Sequence, residues 1–310
     1  MLFSDPSPFR RRQSFLFFIL LVTPAFFIFA ETASENPELL SKITTQLSSH
    51  YFRSLTPSEL QAKSLTELFS SLDQGTHLKS VKPSESDFVR GLKEEKSIAK
   101  VQRLQNYAAY IQISFLGRRT TNDFEQLLNQ FVREDIRTLI LDLRDNSGGS
   151  LESGISLIEY FIPAGKLLFT FQGREGIETK YYSKKPAIRS LKIFVLINGQ
   201  TASTAEMMAD ALRRYADAQL IGESTYGKRS IQEVFAINPS HILFLTTGHF
   251  ILPDDSQKKI QPDVRAPSEK AFEQALSEIT RKEVRSLHLT KTETGVREGK
   301  AVKAAAAPQL

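Results

Sequence analysis

Apolar positions along this chain change period several times, and each change marks an element. Leu39, Leu40, Ile43, Leu47 and Phe52 recur at three- to five-residue steps, which predicts helix over much of 36–69. Leu60, Leu65, Leu68 and Phe69 supply a second stripe. The stretch 86–104 is charged and reads as helix-prone through Glu94, Glu95, Lys96 and Lys100. A strand at about 109–115 follows, then a helix over 122–133 with Phe124, Leu127, Leu128 and Phe131 on its buried face. Thr138–Leu143 is a buried strand that runs into the glycine turn Asp145–Gly149 and a helix from about Ser150. The same grammar repeats at Ile193–Ile197: a buried strand, the polar turn Asn198–Thr201, then a helix from Ala202 to about Ala216. Ala205, Met208, Leu212 and Tyr215 line that helix's buried face. Residues 230–237 alternate as a strand should, and 242–248 and 250–252 read as two more. Strands alternating with helices predict a layered α/β domain.

Composition changes that picture only at the ends. With 310 residues, 41% hydrophobic and 24% charged, the chain can form one large domain or two smaller ones. Three arginines at 10–12 precede an apolar run ending at Ala30, the pattern of a secretory signal or an N-terminal anchor. The expected divisions are therefore a leader over 1–30, a helical region over 31–104, a core over 105–270, and a C-terminal helix with a disordered tail over 271–310. The net charge of +5 comes from the ends: residues 1–30 and 281–310 together exceed it, leaving the body near −1. This argues against a nucleic-acid partner. With no cysteine, disulfides and a thiol nucleophile are excluded. No metal-ligand spacing or cofactor fingerprint appears, so none of either is expected.

Candidate chemistry gathers in the second strand-turn-helix. Ser203 falls in the first turn of a helix leaving a strand, where unpaired N–H groups and the positive helix pole favour developing negative charge. Lys228 lies in a Gly-Lys turn, and with Ser230 and Gln232 it is expected on one strand face. A serine, a lysine and an amide so placed can act as nucleophile, base and orienter. Other readings stand beside this one. Ser203-Thr-Ala-Glu206 also fits a capping box, in which the serine does no chemistry. Gly222–Lys228 fits the first seven positions of a phosphate loop, but Arg229 stands where Ser or Thr is required and a strand follows. Of the histidines, His241 and His249 fall near the motifs, yet no G-x-S-x-G elbow accompanies them.

These segments resemble the C-terminal processing peptidases, or tail-specific proteases, a serine peptidase family using a Ser-Lys dyad. Asn198-Gly-Gln-Thr-Ala-Ser203-Thr-Ala-Glu206 is similar to the family's N-x-x-S-A-S-A-S-E. Thr225-Tyr-Gly-Lys228-Arg-Ser-Ile-Gln232 is similar to T-F-G-K-G-S-V-Q, and Leu141-Asp-Leu-Arg144-Asp-Asn-Ser-Gly148-Gly149 to L-D-L-R-x-N-P-G-G. Ile260-Gln-Pro-Asp-Val264 resembles the closing I-x-P-D-V, and Leu72–Leu78 the segment that precedes the family's PDZ domain. The resemblance implies a ClpP/crotonase-like layered peptidase core acting on protein or peptide substrates. It implies catalytic roles for Ser203, Lys228 and Gln232, and an oxyanion hole from the N–H of Gly149 (or Gly148) with that of Thr204.

Two departures stand out. Only 86–104 separates the pre-PDZ segment from the core's first strand, too short for a PDZ fold, so the usual tethering module is missing. Arg229 replaces the family's small residue; were φ positive there, arginine would be strained and Arg229→Gly would preserve or raise activity. As a base, Lys228 must lose its proton near neutrality, a downward shift of about three units or about 4 kcal/mol. Burial or a nearby positive potential acts with that sign. The expected function is an exported Ser-Lys endopeptidase for unfolded or tail-exposed proteins, with a membrane tether if the leader is retained. The alternative is a non-catalytic module that holds extended peptides on the same fold.

Overall fold

The computed structural model describes residues 37–81, 96–187, 191–254 and 258–279. The leader expected over 1–30, residues 82–95 of the region where a PDZ domain was expected to be missing, and the tail from 280 lie outside these residues. The N-terminal region holds helices α1 (Pro37–His50), α2 (Pro57–Leu60) and α3 (Leu65–Ser70), then strand β1 (His77–Ser80). The core follows with β2 (Ile98–Leu104), β3 (Ala108–Ile113), α4 (Thr120–Arg133), β4 (Thr138–Asp142) and α5 (Leu151–Ile158). Next come β5 (Leu167–Gln172), β6 (Glu178–Tyr182), β7 (Lys192–Ile197), α6 (Thr204–Tyr215) and β8 (Gln219–Gly222). The hairpin β9 (Ser230–Asn238) and β10 (His241–Ile251) leads to β11 (Val264–Arg265) and a helix, α7, over 271–279.

Two sheets organise these elements. The first has the order β11-β8-β7-β4-β3-β2 and is parallel throughout except for the edge strand β2. Its central strands are apolar on both faces because both faces are covered. Leu139, Leu141, Val195 and Ile197 face α4–α6. Ile140, Phe194 and Leu196 face the other way, onto Ala271, Ala275 and Ile279 of α7. The period of two along each strand divides the side chains between the layers. The second sheet has β10 at its centre, paired with β9 along one edge and with β1 and then β5 along the other. Against it α1 and α3 bury Ile43, Leu47 and Leu68 on Leu243 and Leu245. No described helix is long and apolar enough to cross a membrane.

The structure changes two expectations. The helix-prone reading of 86–104 fails at 98–104, which is strand β2: its Ile98 and Val101 lie opposite Ile113 and Ile111 of β3. Pairing with the core's first strand overrides local composition there. The strands expected at 242–248 and 250–252 are one, β10, whose register shifts between Thr246 and Gly248. Gly248 is where β5 comes close: a Cβ there would stand 2.6 Å from the Gln172 carbonyl oxygen and would clash with the Phe171 ring. The glycine is an approach point rather than a strand break.

Candidate active site

Neighbouring parallel strands β4 and β7 both end at one rim of the first sheet, the place where open α/β sheets present ligand sites. The loop after β4 carries Asp145–Gly149 and the loop after β7 carries Asn198–Ser203. Asp145 N–H donates to Asn198 Oδ1 at 3.0 Å, and Asn198 Nδ2 returns a bond to Asp145 Oδ1 at 2.9 Å. Thr201 Oγ1 donates to the Leu143 carbonyl at 2.8 Å, and Ala202 N–H to that of Asn146 at 2.9 Å. Behind the loop Arg144 folds back on the fully buried Asp142 at 2.6 Å. The L-D-L-R motif is thus an internal brace.

Ser203 stands at the head of α6 with φ 56° and ψ −123°. A serine that only caps a helix sits in the extended region. This conformation costs a non-glycine residue about 1–3 kcal/mol, and such strain concentrates at active sites. The capping-box partner is present: Glu206 Oε2 accepts the Ser203 N–H at 2.8 Å. The Glu206 N–H is met by the Ser203 backbone carbonyl at 2.9 Å. Beside the serine, Gly148 and Gly149 adopt φ of 105° and 132°. A Cβ on Gly148 would lie 3.0 Å from Ser203 Cβ and 3.2 Å from the Thr204 nitrogen. The two loops therefore close on each other at the serine. Gly148 N–H donates to Asn146 Oδ1 at 2.8 Å, which occupies one of the two glycine donors suggested for an oxyanion. Gly149 and Thr204 are the remaining pair.

Lys228 precedes β9 rather than lying on it, so the shared strand face with Ser230 and Gln232 does not form as expected. The amine reaches its partner by side-chain length: Nζ donates to Gln232 Oε1 at 2.8 Å. Gln232 Nε2 donates in turn to the Gly75 carbonyl. Burial pushes the Lys228 amine down from 10.5 to about 8, against the opposing pull of Asp73. That is most of the shift a lysine base requires, and burial, not a neighbouring cation, supplies it. Among the described residues no hydrogen bond joins the Ser203 hydroxyl to the Lys228 amine at rest. Their backbones are joined instead, because Lys228 N–H donates to the same Glu206 Oε2 as Ser203 N–H, at 2.9 Å.

Sequence reasoning treated Glu206 as a helix cap. The structure gives it a larger part. It is fully buried, and its second oxygen accepts the Gly227 N–H at 2.9 Å and the Thr225 hydroxyl at 2.5 Å. Burial pushes its carboxyl above the usual value, opposed by the Thr225 hydroxyl and by Arg229. Arg229 overturns a second expectation. Its φ is not positive; Gly227, two residues earlier, takes the left-handed position at φ 88°. Arg229 is 8% exposed, its guanidinium ion-paired to Glu206 at 3.5 Å and stacked on Phe250 at 5.2 Å. There is no strain for Arg229→Gly to relieve, and the change would remove the counter-charge of a buried carboxylate. Also missed were Gly75 and Thr246, which flank Gln232, and Asp73 and Tyr51 behind them. The likeness of 72–78 to a family segment was the one signal for Asp73 and Gly75, and nothing in the sequence pointed to Tyr51 or Thr246.

Comparisons with known proteins agree with the fold. Residues 107–266 match the family model Peptidase family S41. The carboxyl-terminal-processing peptidase 1, chloroplastic, of Arabidopsis thaliana is 31% identical over 161 residues, covering 50% of this chain and 33% of that protein. The carboxy-terminal processing protease CtpA of Bacillus subtilis is 30% identical over 164 residues, covering 52% and 35%. The chain thus spans about a third of the length of these curated relatives. Among solved structures, a lipoprotein from Streptococcus agalactiae superposes with a TM-score of 0.63 at 18% identity, over 85% of this chain and 99% of that one.

Proposed function

This chain belongs to peptidase family S41, and from that premise we propose that it is a serine endopeptidase working through a Ser203–Lys228 dyad. Its substrates are unfolded or tail-exposed proteins. In the proposed reaction, Ser203 Oγ attacks the scissile carbonyl carbon while neutral Lys228 Nζ takes the hydroxyl proton. The oxygen that gains charge is met by the N–H groups of Gly149 and Thr204. Lys228 then gives its proton to the departing amine, leaving an ester on Ser203. Water, deprotonated by the same amine, releases the ester and restores the serine. Gln232 holds Nζ through its carbonyl oxygen, leaving the nitrogen lone pair for the hydroxyl.

The observation that carries this reading is a strained serine at a helix tip beside a lysine whose amine burial brings to about 8. A cap alone requires neither feature. The basic and apolar pattern of 1–30 supports export, with the leader cleaved or kept as a tether. The test is labelling by a fluorophosphonate probe together with digestion of β-casein. Both should occur in the wild type and vanish in Ser203→Ala and in Lys228→Ala. Digestion that survives Lys228→Ala removes the dyad, and a wild type that neither labels nor cleaves leaves the peptide-holding module as the function.

A further inference from the structure

Residues 107–266 match the family, yet Gln232 is held from outside them. Its Nε2 donates to the carbonyl of Gly75, in the turn that enters β1. That turn is built on one carboxylate. Asp73 Oδ2 accepts the Gly75 N–H at 2.9 Å and the Thr246 hydroxyl at 2.8 Å. Asp73 Oδ1 accepts the Thr76 hydroxyl at 2.6 Å and the Tyr51 hydroxyl at 3.2 Å. Tyr51, fully buried after α1, accepts the Asp73 N–H at 2.9 Å. Thr246 lies opposite Gln232 in the β9–β10 ladder, and its N–H donates to Thr76 Oγ1 at 3.1 Å. The space is filled as well as bonded. A Cβ on Gly75 would stand 2.7 Å from Asp73 Oδ2, 2.9 Å from Thr246 Oγ1 and 3.1 Å from Gln232 Nε2.

We propose that the turn Asp73–Thr76 is a wall of the active site, and that Asp73 is a positioning residue for the Lys228 amine, acting through Gly75 and Gln232. The inference rests on the dyad reading and extends it to the N-terminal region. A glutamine on an open strand face could turn its amide either way. Here the Gly75 carbonyl can accept only from the NH2 end, which points Oε1 at Lys228. Asp73 sets that carbonyl, and its charge also acts directly on the amine, favouring the protonated form. The same turn thus aims the lysine and holds back its loss of a proton.

Other titratable groups sit on the neighbouring strands. His77 of β1 stacks on Phe244 at 4.7 Å and feels the Lys228 charge. His249 of β10 feels Asp73 and Lys258. Burial pushes both imidazoles below their usual value, so both are neutral where Lys228 titrates. Glu206 meets Lys228 through the backbone N–H, and Arg229 turns to Glu206. Asp73 is therefore the charge that a neutral substitution at the turn removes.

The test compares wild type with Asp73→Asn by two readouts. The first is the pH midpoint of Lys228 acetylation by acetic anhydride, followed by mass spectrometry, which needs no catalysis. The second is kcat and KM on a peptide from β-casein. The expected result is a kcat about tenfold lower, a KM changed by less than about twofold, and a Lys228 midpoint moved below that of the wild type. An unchanged midpoint, or one moved up towards the free-lysine value as a merely loosened turn would give, overturns the proposal. If Asp73→Asn does not fold, Tyr51→Phe carries the test. Its kcat should fall about threefold with the fold intact, and a wild-type kcat overturns the proposal. A wild type without cleavage defeats the dyad reading, while the acetylation midpoints still decide the part played by Asp73.

Discussion

Two carboxylates frame the candidate site from opposite sides, and they work at different levels of structure. Glu206, on α6, is fully buried and gathers the backbone: the N–H groups of Ser203, Gly227 and Lys228 converge on it. Asp73, in the turn before β1, is only half-buried and gathers mostly side chains: the hydroxyls of Tyr51, Thr76 and Thr246, beside the one N–H of Gly75. One fixes where the two loops run; the other fixes where the amide at the lysine's end points. A strained serine and a buried amine are both unfavourable in isolation. They persist where surrounding bonds over-determine them, and each carboxylate supplies part of that surplus.

The sharpest way to break the comparison is at the reacting groups. Ser203→Ala and Lys228→Ala should each lower kcat/KM by about 10³-fold or more, with melting temperatures no lower than the wild type. Loss of activity accompanied by unfolding would mean that these residues serve the structure.

Glu206→Gln comes next. A glutamine offers one acceptor oxygen where two oxygens now take three N–H groups and a hydroxyl, and its NH2 would face donors. Arg229 would lose its partner as well. The variant should lose about 3 kcal/mol of stability and most of its activity together, read by chemical denaturation and casein digestion. Normal stability with normal activity would contradict the role given to Glu206.

Arg229→Gly tests the same cluster more gently. Removing the counter-charge and the packing on Phe250 should cost about 1–3 kcal/mol and lower activity several-fold. Equal or higher activity would restore the strain argument that the backbone angles overturned.

The last effect leaves no activity to read and is a gain in stability. The Lys228 amine sits below its unfolded value, so the folded state binds fewer protons between about 8 and 10.5 and is stabilised as pH rises through that window. Below about 8 the buried charge costs the fold about 3 kcal/mol. Lys228→Met should therefore be more stable than wild type at pH 7, with the difference shrinking towards pH 10. A difference that grows with pH would mean the amine is not held below its free value.

The side of the site that belongs to Glu206 was legible in the sequence, and the side that belongs to Asp73 was not. Strand, turn and helix around Ser203 follow one another between Lys192 and Tyr215, so hydrophobic period and turn residues mark them locally. The observed β7 and α6 lie within two residues of where the pattern puts them. Glu206 was visible as a cap, but its bonds to 227 and 228 depend on a loop some twenty residues away. Asp73 meets Thr246 across 173 residues and Gln232 through Gly75 across 157. No local period carries such a contact. Strand β2 was missed for a related reason: its lysine, glutamine and arginine suit a helix, and only β3 alongside makes it a strand. Arg229 was misread because the left-handed position was assigned to the residue after the lysine, whereas Gly227 takes it.

The measurement that bears most directly on a lysine base is the pH dependence of kcat/KM for peptide cleavage in the wild type, set beside Lys228→Ala. The account predicts activity that rises through a midpoint near 8 and levels above it, absent altogether from the variant. A rise centred on the free-lysine value, or the same rise in Lys228→Ala, would contradict it.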